Sequence, residues 1–286
     1  MSISRKEAKN IASVLVEGMP YIQRFSNKKI VIKYGGAAML EDKLRQGFAR
    51  DIALMKLVGM YPVVIHGGGP QIGAELERRN IQTKFLEGYR VTNKKTMTVV
   101  KKVLGREINN QIVQLIKSFG GNAESLSWFN SDLIKASKLN EGKLGLVGKV
   151  DSVKVSELNK LLKRNSIPIV SPIGIDKKGN YLNINADLVA GKMAHILQAG
   201  KYLILTNTTG ILDDKDKLIK SINAHEVRNL IKKGVISKGM LPKIESALEA
   251  VSSGVEHVQI INGTIDHSVL LELFTDSGIG TMIRRL

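Results

Sequence analysis

Five short runs rich in β-branched residues recur along the chain, and each closes on a glycine or polar turn. They are KIVIKYGG (29–36), PVVIHGGG (62–69), IPIVSPIG (167–174), YLILTNTTG (202–210) and HVQIING (257–263). Segments of helical period lie between them, at 41–58, 93–118, 186–199, 223–233 and 242–253. Such alternation predicts an α/β fold, a three-layer sandwich with a central, mainly parallel sheet and helices on both faces. In these sheets ligands collect beyond the C-terminal strand ends, where the glycine and polar turns would gather. The stretches 136–160 and 175–184 lack strand pattern, carry Gly, Lys and Asn, and are expected to form hairpins or flaps. With no Pro/Ser linker present, two lobes sharing one continuous sheet are expected, 26–198 and 199–286, behind an N-terminal helix over 1–25. Ile11, Val14, Leu15, Met19 and Ile22 fall on one face of that helix, and Pro20 is expected to kink it.

Composition removes several classes. The 286 residues are 43% hydrophobic, enough for a sizeable core, yet no apolar run is long enough to cross a bilayer. Cysteine is absent, which excludes disulfides, thiolate metal sites and a cysteine nucleophile. The 43 basic against 26 acidic residues come as scattered doublets rather than a block, and only 5% of residues are aromatic. That favours a solvated basic surface and argues against nucleic-acid and membrane partners.

The stretch VVIHGGGPQI (63–72) stops a strand on bare backbone and turns straight into a helix. Glycine allows close approach, and a helix N-terminus offers unpaired N–H groups to an anion, although a tight packing turn fits the same residues. Familiar nucleotide signatures are missing: there is no GxxxxGK[ST], no GxGxxG after a strand, no HRD or DFG, and no GxSxG. The five histidines have no zinc-like spacing, so no protein metal site is expected. What remains are charged and amide groups at element ends. Lys33 closes the Ile30–Ile32 run; taken alone it reads as a lysine reaching solvent, and the neighbouring Gly35 and Gly36 tilt the balance towards a phosphate approaching the same spot. Asp187 opens a helix just after Asn183 and Asn185, and an acidic first turn is commonly a dipole partner. Lys243 lies in the first turn of a helix begun by Pro242, where its charge opposes the dipole and hints at a bound anion.

Taken together and in order, VIKYGGAAM, VVIHGGGPQI, GYRVT, NINAD, TNTTGIL and GMLPKI resemble the amino-acid kinase family, from about residue 20 to the C-terminus. Within it they are most similar to the branch that phosphorylates N-acetyl-L-glutamate in arginine biosynthesis. The resemblance implies the amino-acid kinase fold, ATP with Mg²⁺ held mainly through its phosphates, and acetylglutamate as acceptor. It assigns Lys33 and Lys243 to flank the moving phosphoryl group, with Asp187 holding both. Gly68 and Gly69 would offer N–H groups to the reacting charge, and Arg90, Asn183 and Asn185 would bind acetylglutamate. Gly35, Gly36, Asn207, Gly210 and Lys243 would serve ATP.

The two ends of the chain resemble arginine-inhibited, hexameric members, and GGAAM with the overall style of the sequence resembles members of cyanobacterial and plastid type. The implied effector residues are Tyr21, Lys201, His267, Glu272 and Gly280, with L-arginine as inhibitor and a homo-oligomer, a hexamer, as the assembly. Some such members bind the nitrogen-regulatory PII protein, which joins the candidate partners, and the implied compartment is cytoplasm or plastid stroma. Three departures stand out: Asn207 where relatives carry Asp, Lys238 where glycine is common, and Thr264 where arginine is frequent. Rival readings are a family member acting on carbamate, aspartate, glutamate or a nucleoside monophosphate, and a weakly active arginine sensor.

Overall fold

The computed structural model describes residues 4–236, 239–275 and 278–285. Among these, eight strands form one sheet in the order Ser221–Asn223, Thr281–Arg284, Val258–Asn262, Lys201–Thr206, Lys29–Tyr34, Tyr61–His66, Ile167–Val170, Ala123–Leu126. Every neighbouring pair is parallel except Val258–Asn262 with Thr281–Arg284. All five sequence-marked runs became strands of this sheet, and the expected three-layer α/β architecture is what forms.

The apolar runs are near-continuous because both faces are covered. Val31, Val63, Tyr202 and Ile204 point into one core with the helices Val155–Lys163, Ala186–Ile196 and Leu241–Ser252. Ile30, Ile32, Val64 and Leu203 point into the other, against Asp42–Leu57, Gly69–Arg78 and Asn109–Ser118. The strand Lys29–Tyr34 lies at the centre, paired through Lys33 with Ile65 on one side and Ile204 on the other. The chain leaves it in one direction early and in the other late. That makes a topological switch point, and a crevice opens beyond the C-terminal strand ends.

Several expectations change. The 136–160 stretch forms the expected hairpin, Ile134–Lys138 with Val147–Val153, but it is not poor in strand, and Val155–Lys163 is a helix. With Ile173–Ile175 and Tyr181–Ile184 they close a small four-stranded barrel. Its short strands alternate, with Ala136 buried between half-buried Lys135 and Ser137, so the Lys content masked the pattern. The single helix expected over 93–118 is broken at Val103–Ile108 by π-helical turns. The N-terminal helix forms as expected, over Arg5–Phe25 with Pro20 inside it. Val16 and Met19 on it are exposed and Phe25 is buried. The side chains of Ile11, Val14 and Leu15, and all of Lys238, lie outside the described residues.

Candidate active site

Lys33 is only 7% exposed, so it does not reach solvent; its ammonium turns back under the glycine turn that ends its strand. A Cβ at Gly35 would stand 3.1 Å from Lys33 Nζ, a tight approach that glycine avoids. Asp187 faces that ammonium from the first turn of Ala186–Ile196, with Lys33 Nζ 3.1 Å from Oδ1. Asn185 caps this helix, its side-chain oxygen accepting the Asp187 N–H at 2.8 Å. Lys243 Nζ approaches the other carboxylate oxygen at 3.6 Å. One buried anion thus holds two ammonium groups. Burial, and to a lesser degree the nearby Lys33 charge, push the Lys243 pKa below the usual lysine value, while Asp187 pulls it back up.

The helix carrying Lys243 is held close to that of Asp187. A Cβ at Gly191 would lie 2.5 Å from Ser246 Oγ, so glycine is what lets the two helices meet. Ser246 then donates to the Asp187 carbonyl at 2.6 Å, and the Tyr202 hydroxyl sits 2.8 Å from Ser246 Oγ. Ser246 is one turn beyond Lys243, so this contact fixes how far Lys243 stands from Asp187.

The HGGG turn forms the facing wall. Gly67 N–H donates to the Tyr34 carbonyl at 2.7 Å, tying the turn to the Lys33 strand. Gly69 and Pro70 open the helix Gly69–Arg78, whose first amides have no partner within the helix. A Cβ at Gly68 would meet Leu104 and Ile108 at 2.5 Å, and both belong to the π-helical segment. Gly68→Ala should therefore overpack this wall, lowering stability by about 1–3 kcal/mol and kcat about tenfold; thermal melts and initial rates check it.

Arg90 sits on the hairpin Phe85–Leu86/Tyr89–Arg90, whose turn uses Gly88 at φ 80. Its guanidinium stacks 4.6 Å over Phe85 and donates to the Gly69 carbonyl at 3.0 Å. That leaves most of its planar fork available to a carboxylate. Asn183 donates to Thr92 Oγ1 at 3.2 Å, and Thr92 in turn donates to the Arg90 carbonyl at 2.7 Å. A cleft of about 620 Å³ joins these parts: it is lined by Lys33, Asp187 and Asn185, by the Gly35–Gly36 turn, by Gly68 and Gly69, and by Arg90 and Asn183. Lys243 reaches it through Asp187.

Asn207 and Gly210 do not line this cleft. Asn207 is exposed just past Lys201–Thr206, and Gly210 is buried against Thr281 and Leu218. A separate pocket of about 230 Å³ brings together Tyr21, Lys201, Glu272 and Gly280, and adds Arg24 and His257. There Lys201 Nζ is 3.4 Å from Glu272 Oε1, and burial pushes the lysine down to about 8. His267 lies elsewhere, its Nδ1 2.6 Å from Asp51 Oδ1. Thr264 donates to Asn262 Oδ1 at 2.7 Å within its own turn.

The amino acid kinase family model matches residues 28–262, which carry every element of the cleft. The chain belongs to the amino acid kinase family. Acetylglutamate kinase of Hydrogenovibrio crunogenus is 51% identical over 99% of both chains. Acetylglutamate kinase of Nitrosococcus oceani is 49% identical, again over 99% of both. The fold also matches N-acetylglutamate synthase of Neisseria gonorrhoeae, with a TM-score of 0.87 and 24% identity; this chain is covered to 96% and spans 63% of that protein. Sequence reasoning did not single out Thr92, Asn109, Gly191, Tyr202 or Ser246. The one visible signal was Asn109, an amide at a position the helical period assigns to the core.

Proposed function

We propose that this chain is an acetylglutamate kinase, transferring the γ-phosphoryl group of ATP to the γ-carboxylate of N-acetyl-L-glutamate. The observation that carries this reading is the pair of ammonium groups sharing Asp187 beside a glycine-walled cleft that Arg90 also lines. The acceptor carboxylate is already ionised at neutral pH, so the reaction needs no base. A carboxylate oxygen forms the new bond to phosphorus as the bond to the bridging β–γ oxygen breaks, and ADP departs with that electron pair. The barrier is the approach of two anions. Lys33 and Lys243 screen it with fixed cations, and the Gly68 and Gly69 amides donate to the charge that builds up in transfer. Arg90, with Asn183, holds the α-carboxylate end and so aims the γ-carboxylate. Asp187 is the one carboxylate lining the cleft among the described residues, and the two lysines occupy it. Mg²⁺ would therefore be held through the nucleotide phosphates rather than by this chain, and would supply charge neutralisation there.

Nucleotide binding by Gly35, Gly36, Asn207 and Gly210, beside the Lys201–Thr206 strand end, belongs to the same reading, as does a division into acetylglutamate and ATP lobes near residue 198. Regulation by arginine is supported by the 230 Å³ pocket, where the buried Glu272 carboxylate suits a guanidinium. The exposed apolar side chains of the N-terminal helix suit a hexamer, and PII and a cytoplasmic or stromal setting follow from the same resemblance.

Mg-ATP-dependent ADP release should appear with N-acetyl-L-glutamate and stay at background with glutamate, aspartate and carbamate, and arginine should lower it. Turnover with another acid instead would remove the Arg90 assignment while leaving the lysines in place. No turnover with any acid in a folded, arginine-binding protein would favour the sensor reading.

A further inference from the structure

His66 ends its strand fully buried, and none of the chemistry above uses it. Its Nδ1 lies 2.9 Å from the carbonyl of Gly67, and its Nε2 lies 3.1 Å from Asn109 Nδ2. The proton positions follow from the partners. A carbonyl only accepts, so Nδ1 carries the hydrogen. The Asn109 amide also stands 3.0 Å from the Ile169 carbonyl, which likewise only accepts, so the NH₂ group faces both and the histidine Nε2 is the acceptor. Both hydrogens of that amide are then used. Burial lowers the imidazole pKa to about 4, consistent with a neutral ring in this setting.

We propose that His66 and Asn109 form a positioning pair, fixing the Gly67–Gly68 peptide so that its N–H faces the transferring phosphoryl group. In a trans peptide the C=O and the following N–H point in opposite directions within one plane. Holding the Gly67 oxygen towards buried His66 therefore turns the Gly68 N–H towards the cleft. Glycine itself imposes little preference on that plane, so an HGGG turn needs an outside anchor. The Gly67 N–H is tied to Tyr34, Gly68 is wedged against Leu104 and Ile108, and the π-helical turns deliver those two side chains and Asn109 to one place. The inference rests on the acetylglutamate kinase reading for its phosphoryl group, but not for the state of His66.

The test compares His66→Leu with His66→Asn in the full chain, with Mg-ATP and N-acetyl-L-glutamate. Loss of one preorganised donor predicts a kcat about 10²-fold lower for His66→Leu, with both KM values within about threefold of wild type. The asparagine Nδ2 takes the place of Nδ1, so His66→Asn should recover at least about tenfold of the loss. A folded His66→Leu retaining kcat within about threefold, or an Asn variant no better than Leu, overturns the proposal. Nitrogen-15 spectra of the wild-type histidines give a reading independent of substrate and of variant folding. A neutral Nδ1–H tautomer at pH 7 is expected, and an Nε2–H tautomer or an imidazolium overturns the proposal. Should wild type phosphorylate no acid at all, the activity reading is what fails, and the tautomer still decides the His66 assignment.

Discussion

Lys33→Ala should lower kcat by about 10³–10⁵-fold, the range that a single well-placed cation supplies in phosphoryl transfer. The expectation follows from placement rather than charge alone. Lys33 stands on the central strand, is buried, and lines the cleft beside the Gly35–Gly36 turn. In water a cation 4 Å from an anion gains only about 1 kcal/mol, whereas at a protein surface with an effective dielectric near 20 it gains about 4 kcal/mol. Lys33→Arg should not restore the rate, because a planar fork presents its charge and donors in a different geometry from a compact ammonium. Far-ultraviolet circular dichroism should match wild type. A kcat within about tenfold of wild type in a folded Lys33→Ala would remove Lys33 from the reaction.

Asp187→Asn should cost about 10²–10³-fold in kcat and shift the alkaline limb of the rate profile to lower pH. Asparagine keeps the shape and the cap made by Asn185, but it removes the anion between two cations. The sign is set by Lys243. Burial and Lys33 already lower its pKa, and Asp187 is what raises it. Without that carboxylate the lysine loses its proton at lower pH, and the protonated form needed for transfer disappears earlier as pH rises. Stability should fall too, since removing one partner of a buried ion pair leaves the other uncompensated at about 3–5 kcal/mol. A kcat–pH profile superimposable on wild type would show that Asp187 does not control the lysines.

The cluster of Lys33, Asp187 and Lys243 was legible because each of these residues sits at an element boundary with a local signature, and their order along the chain carries the family resemblance. Lys33 follows three β-branched residues and precedes two glycines, Asp187 follows an Asn cap, and Lys243 follows a helix-starting proline. What surrounds them was not. Ser246 reads as one more polar residue on an amphipathic helix, and Tyr202 as one more strand aromatic, until Gly191 lets the helices touch and both hydroxyls meet the Asp187 backbone. His267, which resemblance placed with the effector residues, lies instead against Asp51, whose carboxyl burial pushes up to about 6. Its left-handed backbone, φ 54 just before the helix Ser268–Leu273, turns the ring towards the Asp42–Leu57 helix.

By itself the sequence determined the alternation of strand and helix, the parallel sheet buried on both faces, and the family, because those depend on period and on motifs read locally along the chain. Only the tertiary structure decided which other polar atoms pair: Ser246 and Tyr202 with the Asp187 carbonyl, Asn183 with Thr92, and His66 with Asn109 across 43 positions. A hydrogen bond is made or lost over a few tenths of an ångström. Residues so far apart in sequence reach that precision only after the sheet and its helices have packed.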